Sequence, residues 1–151
     1  MIAKEPDGER VRKNTAEEKN TKIDNEIIRN IENYSKTPQL IAARIKQLDK
    51  EWDIERVLEI NMSTLSIIGI SLAVFVNIYW LILPSTVLLF FVQHAIQGWC
   101  PPIPVFRYFK VRTRPEIDRE KYALKAIRGD FSKIEFNNNA YAAFEATQKI
   151  I

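Results

Sequence analysis

Residues 60–106 read INMSTLSIIGISLAVFVNIYWLILPSTVLLFFVQHAIQGWCPPIPVF. These 47 residues hold no Asp, Glu, Lys or Arg. Aliphatic and aromatic side chains dominate the run. Its length suits two helical crossings of a bilayer at about 20 residues each. A single crossing of this length would demand extreme tilt. Pro84 and the polar Asn77 interrupt it near the middle. The sequence therefore predicts an all-α protein built on a transmembrane helical hairpin.

The two predicted membrane helices cover about 54–76 and 80–99, within a hairpin segment 54–104 that includes a proline-rich exit. The turn falls between Asn77 and Pro84. Tyr79 and Trp80 suit the far interface, where a ring sits in apolar surroundings and its polar atom in the headgroups. Trp80 and Trp99 lie 19 residues apart, and a helix between them measures about 28 Å, close to one hydrocarbon thickness. The competing reading starts the second helix at Pro84, with proline in its first turn. Such a helix, Pro84 to Trp99, barely spans and would make the hairpin re-entrant. Pro101, Pro102 and Pro104 then force an extended exit along the membrane surface.

Working outward, all formal charge lies in the flanks. Residues 1–59 carry 12 basic and 13 acidic side chains, and residues 107–151 carry 10 and 6. The net charge of +3 is spread over both flanks. It gives no concentrated basic patch, so nucleic acid is not an expected partner. Arg44, Lys46, Lys50 and Arg56 precede the apolar run, and Arg107, Lys110, Arg112 and Arg114 follow it. The connecting turn has no basic residue. The positive-inside rule places both termini in the cytoplasm and the turn outside.

Residues 1–22 are charged and poor in aromatics, and they lack the apolar core of a signal peptide. A disordered or loosely ordered tail is expected there, with the hairpin acting as its own insertion signal. Residues 23–53 form amphipathic cytoplasmic helices. Ile23, Ile27, Ile31 and Tyr34 recur at helical spacing over about 24–34. Thr37 caps a second helix, with Pro38 at its first position. These helices either pack on each other or lie in the headgroup plane.

Residues 105–131 form a basic linker and an amphipathic helix. Thr113 and Glu116 have capping-box spacing, Ile117, Leu124 and Ile127 mark the apolar side, and Gly129 stops the helix. Residues 132–151 form a C-terminal tail. Asn137, Asn138 and Asn139 break it, and a weak helix follows from Ala140 to Gln148.

Several residues inside the apolar run invite a role. Gly69 and Ala73 form a small-x-x-x-small pair with Ser66 nearby, a pattern that lets helix backbones approach closely in lipid. Asn61, Thr64 and Ser71 form a neighbouring polar strip, which packs on the second helix or lines a solute path. Gln93 and Gln97 share a face near the end of the second helix, with His94 beside them and Trp99 one turn on. A lone membrane histidine suggests a proton relay or ligand. The run supplies no second histidine or acid, so a hydrogen bond to the first helix or to a backbone carbonyl is the commoner outcome. Cys100 is the only cysteine. It is either a thiol at a basic interface or a small membrane-facing filler. No catalytic residue, metal ligand set or cofactor is assigned.

Three stretches carry a resemblance: QHAIQGWCPP at 93–102, RYFKVRTR at 107–114 and EKYALKAIRGDF at 120–131. With EWDIERVLE at 51–59, they resemble a bacterial family of uncharacterised small membrane proteins. That family is related to the two-helix transmembrane module of the inner-membrane rhodanese. The resemblance covers about Glu51 to Phe131. It implies a hairpin in the bacterial inner membrane and an association with chain pairing. Cys100 corresponds to a membrane-end cysteine of that module rather than to the rhodanese nucleophile, so sulfurtransferase activity is not implied.

The expected function is a non-enzymatic membrane anchor or assembly protein. Its expected partners are the lipid bilayer and a second copy or another membrane protein. The alternatives are a thiol- or sulfur-handling protein using Cys100 and a small transporter subunit.

Overall fold

A computed structural model describes residues 9–132 and 140–148. All regular structure among them is helical. The chain divides into two compact units, residues 1–20 with 52–113, and residues 21–51 with 114–151.

The first unit is built on two long helices. α4, Ile54–Phe75, starts where the Asp53 side chain accepts a hydrogen bond from the Arg56 N–H at 2.9 Å. This satisfies one of the donors a helix start leaves open. α4 ends at Phe75, and Asn77 adopts an extended conformation whose side chain accepts from the Tyr79 N–H at 2.9 Å. A single 3₁₀ turn, Ile78–Leu81, runs directly into α5, Ile82–Gln97. The second apolar segment therefore spans Ile78–Gln97, 20 residues, beside the 22 of α4. Pro84 falls in the first turn of α5. Its missing N–H is one that would have no intrahelical acceptor there, so the helix tolerates it.

Buried positions Ile54, Leu58, Met62, Gly69 and Ala73 run along one side of α4. α5 turns Pro84, Val87 and His94 inward. The two helices pack along their length. Ile54, Leu58, Met62 and Val87 join Val11, Cys100 and Ile103 in one core.

Two departures from the sequence reading sit at the end of α5. The helix stops at Gln97 rather than near Trp99, because Gly98 takes a left-handed conformation with φ +71°. The three prolines do not give an extended exit. Pro102 begins a short helix, α6, Ile103–Tyr108, with Pro104 in its first turn. Proline's fixed φ is already helical and its absent donor costs nothing at that position, so a proline cluster starts this helix.

The N-terminal reading also changes. Residues 1–8 lie outside the described residues, but α1 forms over Arg10–Lys13 and α2 runs from Glu17 to Tyr34. A loose tail over the whole of 1–22 is thus replaced by helix from Arg10 onward. Val11 is buried in the first unit's core, and Glu17 and Glu18 place negative charge in the first turn of α2, where the helix dipole favours it.

In the second unit, α3, Pro38–Leu48, is capped by Thr37, whose side chain accepts from the Leu40 N–H at 3.3 Å. α7, Arg114–Arg128, packs on it. Ile41, Ile45 and Leu48 meet Ile117 and Leu124, with Ile31 and Tyr34 alongside. Ile127 was expected on this apolar side but is exposed. Its place is taken by Glu120, fully buried and paired with Arg44 at 2.7 Å. Position 127 lies about 80° round the helix from 117, whereas 121 and 124 lie within about 40°. Lys121 accordingly reaches Asp49 at 2.5 Å. α8, Ala140–Gln148, is joined to α7 where the buried Lys125 Nζ donates to the Thr147 carbonyl at 2.6 Å. Burial, followed by the charge of Lys121, lowers the Lys125 pKa from its ordinary value. Asn137 to Asn139 lie outside the described residues.

Candidate functional site

The residues singled out from sequence fall at two levels of the first unit. The first is the contact between α4 and α5 near their connecting turn. The absence of a side chain at Gly69 makes room for α5. A β-carbon there would lie 2.5 Å from Pro84 Cδ and 3.3 Å from Leu83 Cβ. Ala73 is buried on the same side of α4. The small-residue pair thus serves the chain's own second helix. Ser66 Oγ is buried on this side without a hydrogen-bond partner. The Ser71 hydroxyl donates to the Ile67 carbonyl of its own helix at 2.8 Å, which satisfies it locally.

The second level is the opposite end of the helix pair, where α4 begins and α5 ends. His94 is almost fully buried, and its Nε2 lies 2.8 Å from Glu55 Oε2. The partner comes from the first turn of α4, 39 positions away. His94 Nδ1 is buried and makes no hydrogen bond. Gln93 and Gln97 do not join this pair. They lie on a neighbouring face, where the Gln93 amide donates weakly to Gln97 Oε1 at 3.5 Å. Trp99 is half-buried.

The carbonyls at the end of α5 are met by the N-terminal segment. The Arg10 guanidinium donates to the Ala95 carbonyl and, at 3.4 Å, to that of Ile96. The Asn14 amide donates to the Gln97 carbonyl at 3.1 Å. A cation and an amide at a helix C-terminus satisfy orphan acceptors and oppose the negative end of the dipole. Arg10 packs so close to Gly98 that a β-carbon on residue 98 would fall 2.2 Å from Arg10 Cβ. Further out, the Ile54 N–H donates to the Arg112 carbonyl at 2.9 Å. The buried Arg107 donates to Asn20 Oδ1 at 2.7 Å and to the Val111 carbonyl at 3.2 Å.

Cys100 sits at this end but is completely buried, among Val11, Ile54, Leu58 and Ile103. It is not a membrane-facing filler. Burial pushes its pKa up to about 11, so the nucleophilic thiolate is scarce near neutrality. Among the described residues no group of three His, Cys, Asp or Glu comes together to hold a metal ion.

Sequence reasoning did not find Glu55, Arg10 or Asn14. Glu55 lies outside the uncharged run, and only the register of two packed helices brings it to His94. Arg10 and Asn14 belong to a segment whose composition resembles a tail. Comparisons with protein-family models, curated proteins and solved structures find no match to this chain.

Proposed function

We propose that the chain is a membrane-embedded anchor or assembly protein, a helical hairpin in a bacterial inner membrane with both termini in the cytoplasm. One observation carries the reading. α4 and the Ile78–Gln97 segment are long and apolar enough to cross a membrane, yet only 22% and 17% of their most apolar windows are buried inside the fold. The core helix of a soluble protein would hide its apolar side chains. Here Phe75 is 85% and Leu89 71% exposed, and Ile67, Val74, Ile82 and Ile96 are also exposed. So large an apolar surface is unfavourable in water and marks a membrane or protein interface. The helix pair satisfies its own backbone, as a lipid environment demands.

The distribution of charge supports the orientation. Arg10, Arg56, Lys110 and Arg112 lie at one end of the first unit, while the 3₁₀ turn with its exposed Tyr79 and Trp80 lies at the other. The resemblance of residues 51–131 to a bacterial family of small membrane proteins, itself related to the two-helix module of the inner-membrane rhodanese, belongs to the same proposal. It suggests association with a second copy or another membrane protein through the exposed faces of α4 and α5. The burial of Cys100 gives the thiol-handling alternative no support.

The test is site-directed labelling of the intact chain in a Cys100→Ser background. Ala16→Cys and Ala140→Cys, both at exposed positions, should react with a membrane-impermeant maleimide only from the cytoplasmic side. Asn77→Cys should react only from the other side. Labelling of all three from one side rejects the spanning hairpin, and opposite labelling of the two ends rejects the helix count.

A further inference from the structure

The charged end of the helix pair carries two cation–ring contacts of a kind suited to a lipid interface. The Arg56 guanidinium lies over the Trp52 ring at 4.6 Å, and Lys19 Nζ over the Tyr108 ring at 4.8 Å. Both rings are exposed at their outer faces, and so is Phe109, which meets Tyr108 edge-on. The contacts belong to one level of the fold. The Ile54 N–H to Arg112 carbonyl bond ties the start of α4 to the segment after α6, and the Arg107 to Asn20 bond ties α6 to the first turns of α2.

Lys110 adds an independent observation. It ends α6 at φ +60°, with its N–H donating to the Arg107 carbonyl and the Val111 N–H donating to the Phe106 carbonyl. This is the Schellman arrangement, and glycine is the residue that fits its left-handed position. The chain uses glycine at the corresponding places after α5 and α7, Gly98 and Gly129. After α6 it keeps a lysine, exposed beside Phe109, despite the cost of a left-handed side chain. An observed backbone outlier of this kind is a reason to look for function.

We propose that Trp52, Arg56, Lys19, Tyr108, Phe109 and Lys110 form a seat for the phosphodiester headgroups of anionic phospholipids. The inference rests on the membrane reading above. Trp52 lies just before α4 and Tyr108 ends α6, so both rings belong to the charged end of the helix pair, the end that meets a headgroup layer favoured by aromatic side chains. An ammonium or guanidinium stacked on a ring uses its charge rather than its N–H groups in that contact, so those donors can serve phosphate oxygens. Of the acids on the first turns of α4, Asp53 caps the helix and Glu55 pairs with His94, and both still set negative charge against the seat. Glu59 is exposed and opposes the seat. A zwitterionic headgroup gains less here, because its own cation cancels much of the attraction.

The experiment is electron paramagnetic resonance of spin-labelled lipids with the intact chain in mixed phosphatidylcholine–phosphatidylglycerol bilayers. The fraction of motionally restricted lipid gives the relative association of each headgroup. The chain should favour the anionic label by about fivefold at low salt, roughly the effect of one cation held at the surface. The preference should shrink as salt is raised. The combined Lys19→Gln, Arg56→Gln and Lys110→Gly variant should bind both labels equally, with the number of restricted lipids per chain unchanged. Lys110→Gly alone suits the backbone and should lower the preference at unchanged helix content. An unselective wild-type chain overturns the headgroup seat while leaving the hairpin intact, as does a variant with full selectivity. Loss of the preference on adding inorganic phosphate at constant ionic strength overturns it in favour of a free-anion site. Absence of any restricted lipid rejects the membrane reading and the seat together.

Discussion

Gly69 of α4 and Pro84 of α5 meet with no room for a β-carbon between them, the separation from an added Cβ to Pro84 Cδ being 2.5 Å. Proline is a rigid neighbour that cannot rotate away. Leu83, 3.3 Å from the same point, closes the other side. Helix association in lipid depends on such packing, since apolar burial from water contributes little there.

Gly69→Ala should therefore destabilise the helix pair by about 1–3 kcal/mol, the usual range for overpacking, and Gly69→Leu should separate the helices. Ile67→Leu, at an exposed position, should change little. The check is a disulfide crosslink between Met62→Cys and Val87→Cys, two positions of one core, in a Cys100→Ser background. Crosslinking that survives Gly69→Leu at full yield would remove Gly69 from the intrachain contact.

His94 and Glu55 should be energetically coupled. The carboxylate is about half exposed, so the coupling should be modest, about 0.5–1 kcal/mol. A double-mutant cycle with His94→Gln and Glu55→Gln, read by unfolding in bilayers, measures it. Additive single effects would mean that the 2.8 Å contact contributes nothing to stability.

The Cys100 thiol should be unreactive while the chain is folded. With its pKa near 11 instead of 9.0, the thiolate population at a given neutral pH falls by about 100-fold, and complete burial removes access as well. Maleimide labelling should be slow at pH 7 and should rise steeply on denaturation. The raised folded pKa also sets a sign. The thiol's contribution to stability is intact below pH 9 and is lost as pH climbs towards 11. Cys100→Ser should flatten that alkaline loss. Rapid labelling of the folded chain at pH 7 would restore the reactive-thiol reading.

How much of this was legible depends on whether the deciding contact is local. The starts of α3 and α7 could be placed because Thr37-Pro38 and Thr113-Arg114-Pro115-Glu116 act within one turn, and Gly129 marks the end of α7 for the same reason. The two apolar segments follow from a run without charge. The His94–Glu55 pair was hidden because it depends on the register of α4 against α5 over 39 residues. α6 was hidden because proline near a helix end and proline in a helix's first turn look alike in sequence. α1 was hidden because its four residues gain their order from Val11 in the core and from the carbonyls of α5, neither of which is near in the chain.

That last dependence yields a prediction for Gly98. Its φ of +71° strains any L side chain, and a β-carbon there would lie 2.2 Å from Arg10 Cβ and 2.9 Å from the Arg10 backbone carbonyl carbon. The left-handed conformation alone costs about 1–2 kcal/mol for alanine. The clash with backbone cannot be relieved by a rotamer change, so α1 has to move. In Gly98→Ala, the carbonyls of Ala95, Ile96 and Gln97 lose Arg10 and Asn14 as donors, and Val11 is drawn from the core. Arg12, buried in the native fold, then becomes accessible. Trypsin should cut after Arg12 and Lys13 much faster in Gly98→Ala than in the wild type, with α4 and α5 still resistant. Arg10→Gln should give a smaller increase, because Val11 and Asn14 still hold the segment. Equal cleavage rates in wild type and Gly98→Ala would show that α1 does not cap α5.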